Sequence, residues 1–314
     1  MHLSIDRLDA RRAALVDLID YAGLFPPASL DMAAAVAEYR DARRRPEGWM
    51  VDGFVAPASR LEELAAAIVP TAMPDDPPWS LRLIVDGIAN GDWLEGARRD
   101  AVAARTFGTE MAGAVSVDIA EVRLPAGTPA DSIAAVAVAF DPAMVFFEVA
   151  WKEGDVVAVV ERLADVRASE RRMVGVKVRC GGATADDVPD PGVLARVIVR
   201  SRDLGLPLKA TAGLHHPVRR REGTTVQHGF LNVITAAAIA HEGADLDQVE
   251  AVLADGDVPA FGLEAGGLRW RDRRWSAEQL RATRSGLFVG LGSCSVEEPV
   301  EDLVAMGVLP LESS

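Results

Sequence analysis

The chain has 314 residues, 49% of them hydrophobic and 25% charged, enough apolar material for a large core; this excludes a disordered protein and fits one large α/β domain or two smaller ones. Its formal charge of −14 repels a phosphate backbone and excludes general nucleic-acid binding. Two cysteines exclude a disulfide framework and suit a reducing compartment.

The first seven residues, Met1 to Arg7, interrupt their apolar side chains with charges, which predicts neither a signal peptide nor a spanning helix, and so a cytoplasmic protein without a membrane partner. A short first strand is predicted within residues 21–25. β-type segments then recur about every thirty residues, at 53–56, 81–86, 113–119 and 144–149, at the runs around Lys177 and Lys209, and at 286–292. Alanine- and leucine-rich stretches with helical spacing lie between them, including 61–69, 156–166 and 193–204. Ser59 with Glu62 and Ser295 with Glu298 fit capping boxes, and Asp190 precedes a first-turn proline, Pro191.

Regular alternation predicts parallel pairing. Eight such units, with no Gly-x-Gly-x-x-Gly turn after an early strand, predict an α/β protein of one domain, residues 1–314, folded as a single (β/α)8 TIM barrel. The connection between strands 7 and 8 is elaborated. Residues 217–285 are expected to hold helices at 230–241 and 246–254, a hairpin around Asp272 and a helix begun by Ser276, forming an insertion over the barrel mouth. Trp270 and Trp275 within it either offer a contact surface, for instance to a homo-oligomer, or pack on the barrel.

A parallel barrel builds its active site at the carboxyl ends of its strands. Period-two alternation sets Lys177 and Arg179 on one face of their strand and Lys209 and Thr211 on one face of theirs. If those faces point inward, two lysines share the upper barrel. A buried lysine beside another cation is pushed toward the neutral amine, which attacks a carbonyl to form a Schiff base; Glu148, one strand earlier, pairs with it or shuttles protons. The alternative is a buried ion pair that closes the core.

The runs Lys177-Val178-Arg179-Cys180-Gly181-Gly182 and Lys209-Ala210-Thr211-Ala212-Gly213 resemble class I aldolases of the deoxyribose-phosphate aldolase type, which carry a Schiff-base lysine on the sixth strand and a second lysine on the seventh. The resemblance implies Lys177 as nucleophile, Lys209 as the residue that lowers its pKa, and Asp118 or Glu148 as the proton carrier, with no cofactor. It implies a lyase acting on a small-molecule carbonyl compound.

Three histidines, His215, His216 and His228, cluster after the seventh strand and support a rival reading, a metal-dependent hydrolase or isomerase with Glu148 or Asp118 completing the ligand set. Their spacing fits no standard metal motif. A third reading is a non-catalytic, ligand-binding barrel. Ser293, Cys294 and Ser295 open the last helix, where unpaired amides attract anions; with Arg179, Thr211, Asn232 and the histidines they form the expected substrate-binding set, for a substrate carrying a phosphate or carboxylate.

Overall fold

The computed structural model describes residues 9–69, 77–170, 173–182, 184–223 and 225–310, so the Met1 to Arg7 segment lies outside the described residues. Eight strands close into an all-parallel barrel: β1 (Ile19–Tyr21), β2 (Val51–Pro57), β3 (Trp79–Val85), β4 (Val115–Leu124), β5 (Met144–Val149), β6 (Val174–Arg179), β7 (Leu208–Thr211) and, after an elaborated connection, β13 (Phe288–Ser293), which pairs with both β7 and β1. Among the described residues no helix is long and apolar enough to cross a membrane.

The strands form because each carries apolar residues outward under the helices. Phe54 of β2, Trp79 of β3 and Tyr21 of β1 meet Tyr39 of α2 (Met32–Arg44) in a buried aromatic cluster with ring centroids 4.7 to 6.0 Å apart. Burying rings of this size is a large share of what fixes the helical layer to the barrel. The first strand is displaced from its expected place: it comprises Ile19–Tyr21, and the following residues turn back, with Phe25 N–H donating to the Ala22 carbonyl.

The strand faces that point inward carry buried charges, Asp20, Arg82, Glu121, Lys177 and Lys209, and this departs from the branched apolar layers common in such barrels. Gly53 has no side chain where one would meet the Arg82 guanidinium, since a Cβ there would lie 2.7 Å from Arg82 Cγ. Gly175 likewise leaves space for the Phe146 ring. Both glycines sit where a large interior side chain needs the volume of a neighbour.

Beyond β7 come a hairpin, β8 (Arg220–Glu222) and β9 (Thr225–Gln227), the helices α8 (Phe230–His241) and α9 (Leu246–Ala254), an antiparallel sheet of β10 (Phe261–Glu264), β11 (Gly267–Trp270) and β12 (Arg273–Trp275), and α10 (Ala277–Gly286). The helices match the sequence-based expectation, and Ser276 caps α10 in a full capping box with Gln279. The three-stranded sheet of the insertion packs on α10 and on α1 (Ala10–Leu15). Trp275 is buried in the sheet's own core and Trp270 donates to Asp255, so both tryptophans are used within the chain.

Of the other expected caps, Asp190 does precede Pro191 at the first turn of α7 (Pro191–Asp203). Ser59 instead bonds Asp86 across a loop, because its helix starts only at Leu61.

Candidate active site

A chain of ion pairs fills the barrel. Lys177 Nζ lies 2.6 Å from Glu121 and 3.0 Å from Glu148. Lys209 Nζ lies 2.6 Å from the other oxygen of Glu121 and also bonds Asp20. Asp20 receives the Arg82 guanidinium at 2.8 Å, and Arg82 continues to Asp52. The parallel register explains the placement: Glu148 pairs with Lys177 and Lys177 with Lys209, so three inward positions on consecutive strands stand side by side.

Charge alternates along the whole chain, which is how a buried polar core is satisfied. Burial by itself would push Lys177 down, but the carboxylates of Glu121 and Glu148 outweigh it and hold the ammonium above its ordinary value. Burial would likewise push Glu121 up, yet the two lysines bring it down to about 2. Lys177 therefore rests as an ammonium. The expectation of an amine destabilised by a neighbouring cation needs this correction, because Glu121 stands between the two lysines.

Above this network, at the carboxyl ends of β4, β5 and β6, opens a pocket of about 260 Å³. Its walls include Arg123, Glu148, Trp151, Lys152, Arg179 and Asp187. Glu148 thus belongs both to the buried chain and to the pocket. Lys152 is bonded to Asp187 at 2.7 Å, whereas Arg179, among the described residues, bonds the backbone carbonyl of Gly181 at 3.3 Å and no carboxylate. Arg123 and Arg179 give the pocket a cationic wall suited to a carboxylate or phosphate.

Asp118 is not in this group. It lies toward the amino end of β4, half exposed, bonded to Ser80 and Ser116 and 3.9 Å from Arg82. The register between β3 and β4 skips it, which marks a bulge there, and Glu121, three residues on, takes the interior position the sequence reading gave to Asp118.

The three histidines do not share a site. His215 Nδ1 lies 2.7 Å from Glu298, and His216 Nδ1 lies 2.6 Å from Asp302. His228 is fully buried, its Nε2 2.7 Å from the Pro189 carbonyl and its Nδ1 3.1 Å from Arg219 Nη1. A carbonyl needs a donor and a guanidinium needs an acceptor, so the neutral Nε2–H tautomer satisfies both. Burial, aided by the Arg219 charge, holds its pKa down at about 4. Among the described residues no group of three or more His, Cys, Asp or Glu side chains is arranged to hold a metal ion.

Asn232 is also structural. Its Oδ1 accepts from Arg219 N–H at 2.8 Å, and its Nδ2 donates to the carbonyls of Val252 and Asp255 at 2.8 and 2.7 Å, tying the β7 loop to the end of α9. Asn232→Ala is expected to cost about 2 kcal/mol, because one buried and two part-buried backbone groups lose their partner; urea denaturation measures it.

Thr211 ends β7 half-buried. Ser293 donates to the Ser295 carbonyl at 2.6 Å, and Ser295 Oγ accepts from Glu298 N–H at 3.2 Å ahead of α11 (Glu297–Ala305). Half of the expected capping box therefore forms, and the Glu298 carboxylate goes to His215 instead. Cys180 is fully buried and its thiol is pushed up to about 12 by that burial, which removes it as a nucleophile.

Sequence reasoning missed Glu121, Arg82, Asp20, Asp52 and Arg123. Compared with known proteins, the chain matches no protein-family model and no curated protein.

Proposed function

We propose that the protein is a cytoplasmic lyase that acts on a small anionic carbonyl compound through a Schiff base on Lys177. The observation that carries this reading is the bond of Lys177 to Glu148, a carboxylate that also lines a pocket with Arg123 and Arg179.

The guanidinium groups would hold the substrate's anionic group and bring its carbonyl down onto Glu148. Glu148 then takes a proton from Lys177 Nζ, 3.0 Å away. The free amine attacks the carbonyl carbon, a C–N bond forms, and the carbonyl oxygen leaves as water after accepting protons, one of them returned by Glu148. The resulting iminium draws electrons from the bond between its α and β carbons as the substrate's β-hydroxyl gives its proton to Glu148; that bond breaks, the β fragment leaves as a carbonyl compound, and the enamine left on Lys177 is protonated and hydrolysed to free the amine. Asp20, Lys209 and Glu121 position Lys177 from below and fix the charge of the site.

A second reading rests on the fact that Glu148 lines the pocket whereas Lys177 lies behind it. Here Glu148 alone moves a proton to or from the substrate, and no covalent bond forms.

Borohydride reduction in the presence of a panel of small aldehydes and ketones, followed by intact mass and peptide mapping, separates the two. An adduct on Lys177 that is lost in Lys177→Met and reduced about a hundredfold or more in Glu148→Gln supports the Schiff base. Turnover of a panel member with no adduct supports the acid–base reading and overturns the first.

A further inference from the structure

A second constellation lies across the mouth, on the loops that follow β7 and β13, and the lysine chemistry makes no use of it. Cys294 Sγ is 4.0 Å from His215 Nε2, and His215 Nδ1 is 2.7 Å from Glu298 Oε2. A carboxylate on Nδ1 fixes the ring proton on that nitrogen and turns the bare Nε2 lone pair toward the sulfur. The three side chains come from separate segments: His215 follows β7, Cys294 follows β13, and Glu298 sits in the first turn of α11. Nucleophile, base and orienting carboxylate thus stand in the order that activates a thiol.

The surroundings suit a reaction at sulfur. Cys294 is 9% exposed and His215 has 15% of its side chain exposed, so the pair is sheltered but open to a small molecule. Burial and, less strongly, the Glu298 carboxylate hold the Cys294 thiol up, and the Ala28 backbone amide, which donates to the sulfur, pulls it back. The sulfur is therefore a thiol at rest and parts with its proton as it attacks. Cys180, whose thiol is raised by burial, provides the contrast within the same chain.

We propose that Cys294, His215 and Glu298 form a nucleophilic triad that accepts an acyl group from a small activated ester or thioester. Cys294 sulfur attacks the acyl carbon while its proton passes to His215 Nε2. The C–S bond forms, the bond to the leaving alkoxide or thiolate breaks, and His215 returns the proton to that leaving group. Glu298 is a positioning residue: it holds the imidazole and balances the transient imidazolium.

The test uses p-nitrophenyl acetate on the full chain, with release of p-nitrophenol followed over time and the acetylated residue mapped by mass. A burst of one product per chain with the acetyl group on Cys294 is expected, slowed at least about a hundredfold by His215→Gln and abolished by Cys294→Ser. Circular dichroism melting of each variant shows whether it is folded. Absence of acetyl on Cys294 in the native protein overturns the proposal. So does an acetylation rate in folded His215→Gln equal to that of the unaltered chain, since the imidazole would then do nothing at the sulfur.

Discussion

Glu121→Gln is expected to destabilise the protein by about 3–5 kcal/mol, the cost of leaving buried charge without its partner. The substitution keeps the volume of the side chain, so the loss is electrostatic. Glu121 is the point where two ammonium groups meet, at 2.6 Å each, and both are buried. Without its charge they face each other, each retaining one carboxylate, Glu148 for Lys177 and Asp20 for Lys209. Adding Lys209→Met should therefore recover part of the loss, because it removes one of the repelling charges while Asp20 keeps Arg82. Urea denaturation of the single and double variants measures both quantities; a double variant less stable than Glu121→Gln would refute the repulsion. The same substitution bears on function. With Glu121 neutral, burial weighs more heavily on Lys177 and its pKa falls, so borohydride trapping should begin at a lower pH than in the unaltered chain.

The barrel was legible in the sequence because parallel strands covered on both faces read as short apolar runs at a regular interval. The two lysines were legible for the same reason, since a charge inside such a run must point into the barrel or be paired. What the sequence hid was the partner. The fourth strand was read as ending at Ile119, but β4 continues to Leu124 through Glu121 and Arg123, whose charges look like a solvated loop. The bulge at Asp118 also shifts the alternation, so counting by twos from Ser116 and Asp118 gives the wrong face for everything after it.

Arg82 and Asp20 left clearer signals. Each is a charge set between large apolar neighbours, in Leu81-Arg82-Leu83 and Ile19-Asp20-Tyr21, and each needed an opposite charge in the interior. The histidines misled for a different reason. Proximity in sequence said nothing of direction, and the turn at Ala212 and Gly213, both with positive φ, sends His215 and His216 toward α11 while His228 enters the core beside Pro189.

His228 and Glu121 together predict how the protein meets acid. The pKa of His228 falls from 6.5 in the unfolded chain to about 4 in the folded one, so the unfolded state binds its proton first. The stability this gives is complete above pH 6.5 and is lost as pH falls toward 4, an effect on the order of 3 kcal/mol. Glu121, lowered from 4.5 to about 2, contributes in the next window: its stabilisation is present above 4.5 and lost as pH falls toward 2, again on the order of 3 kcal/mol. Urea denaturation between pH 7.5 and 4 should show stability declining, and His228→Gln, whose side-chain amide can still donate to the Pro189 carbonyl, should be less stable at pH 7.5 yet flatter across that range. Titration of the other histidines is common to both chains and cancels in the difference. Equal slopes would mean that His228 is protonated as readily in the folded protein as in the unfolded one, which its place between a guanidinium and the core forbids.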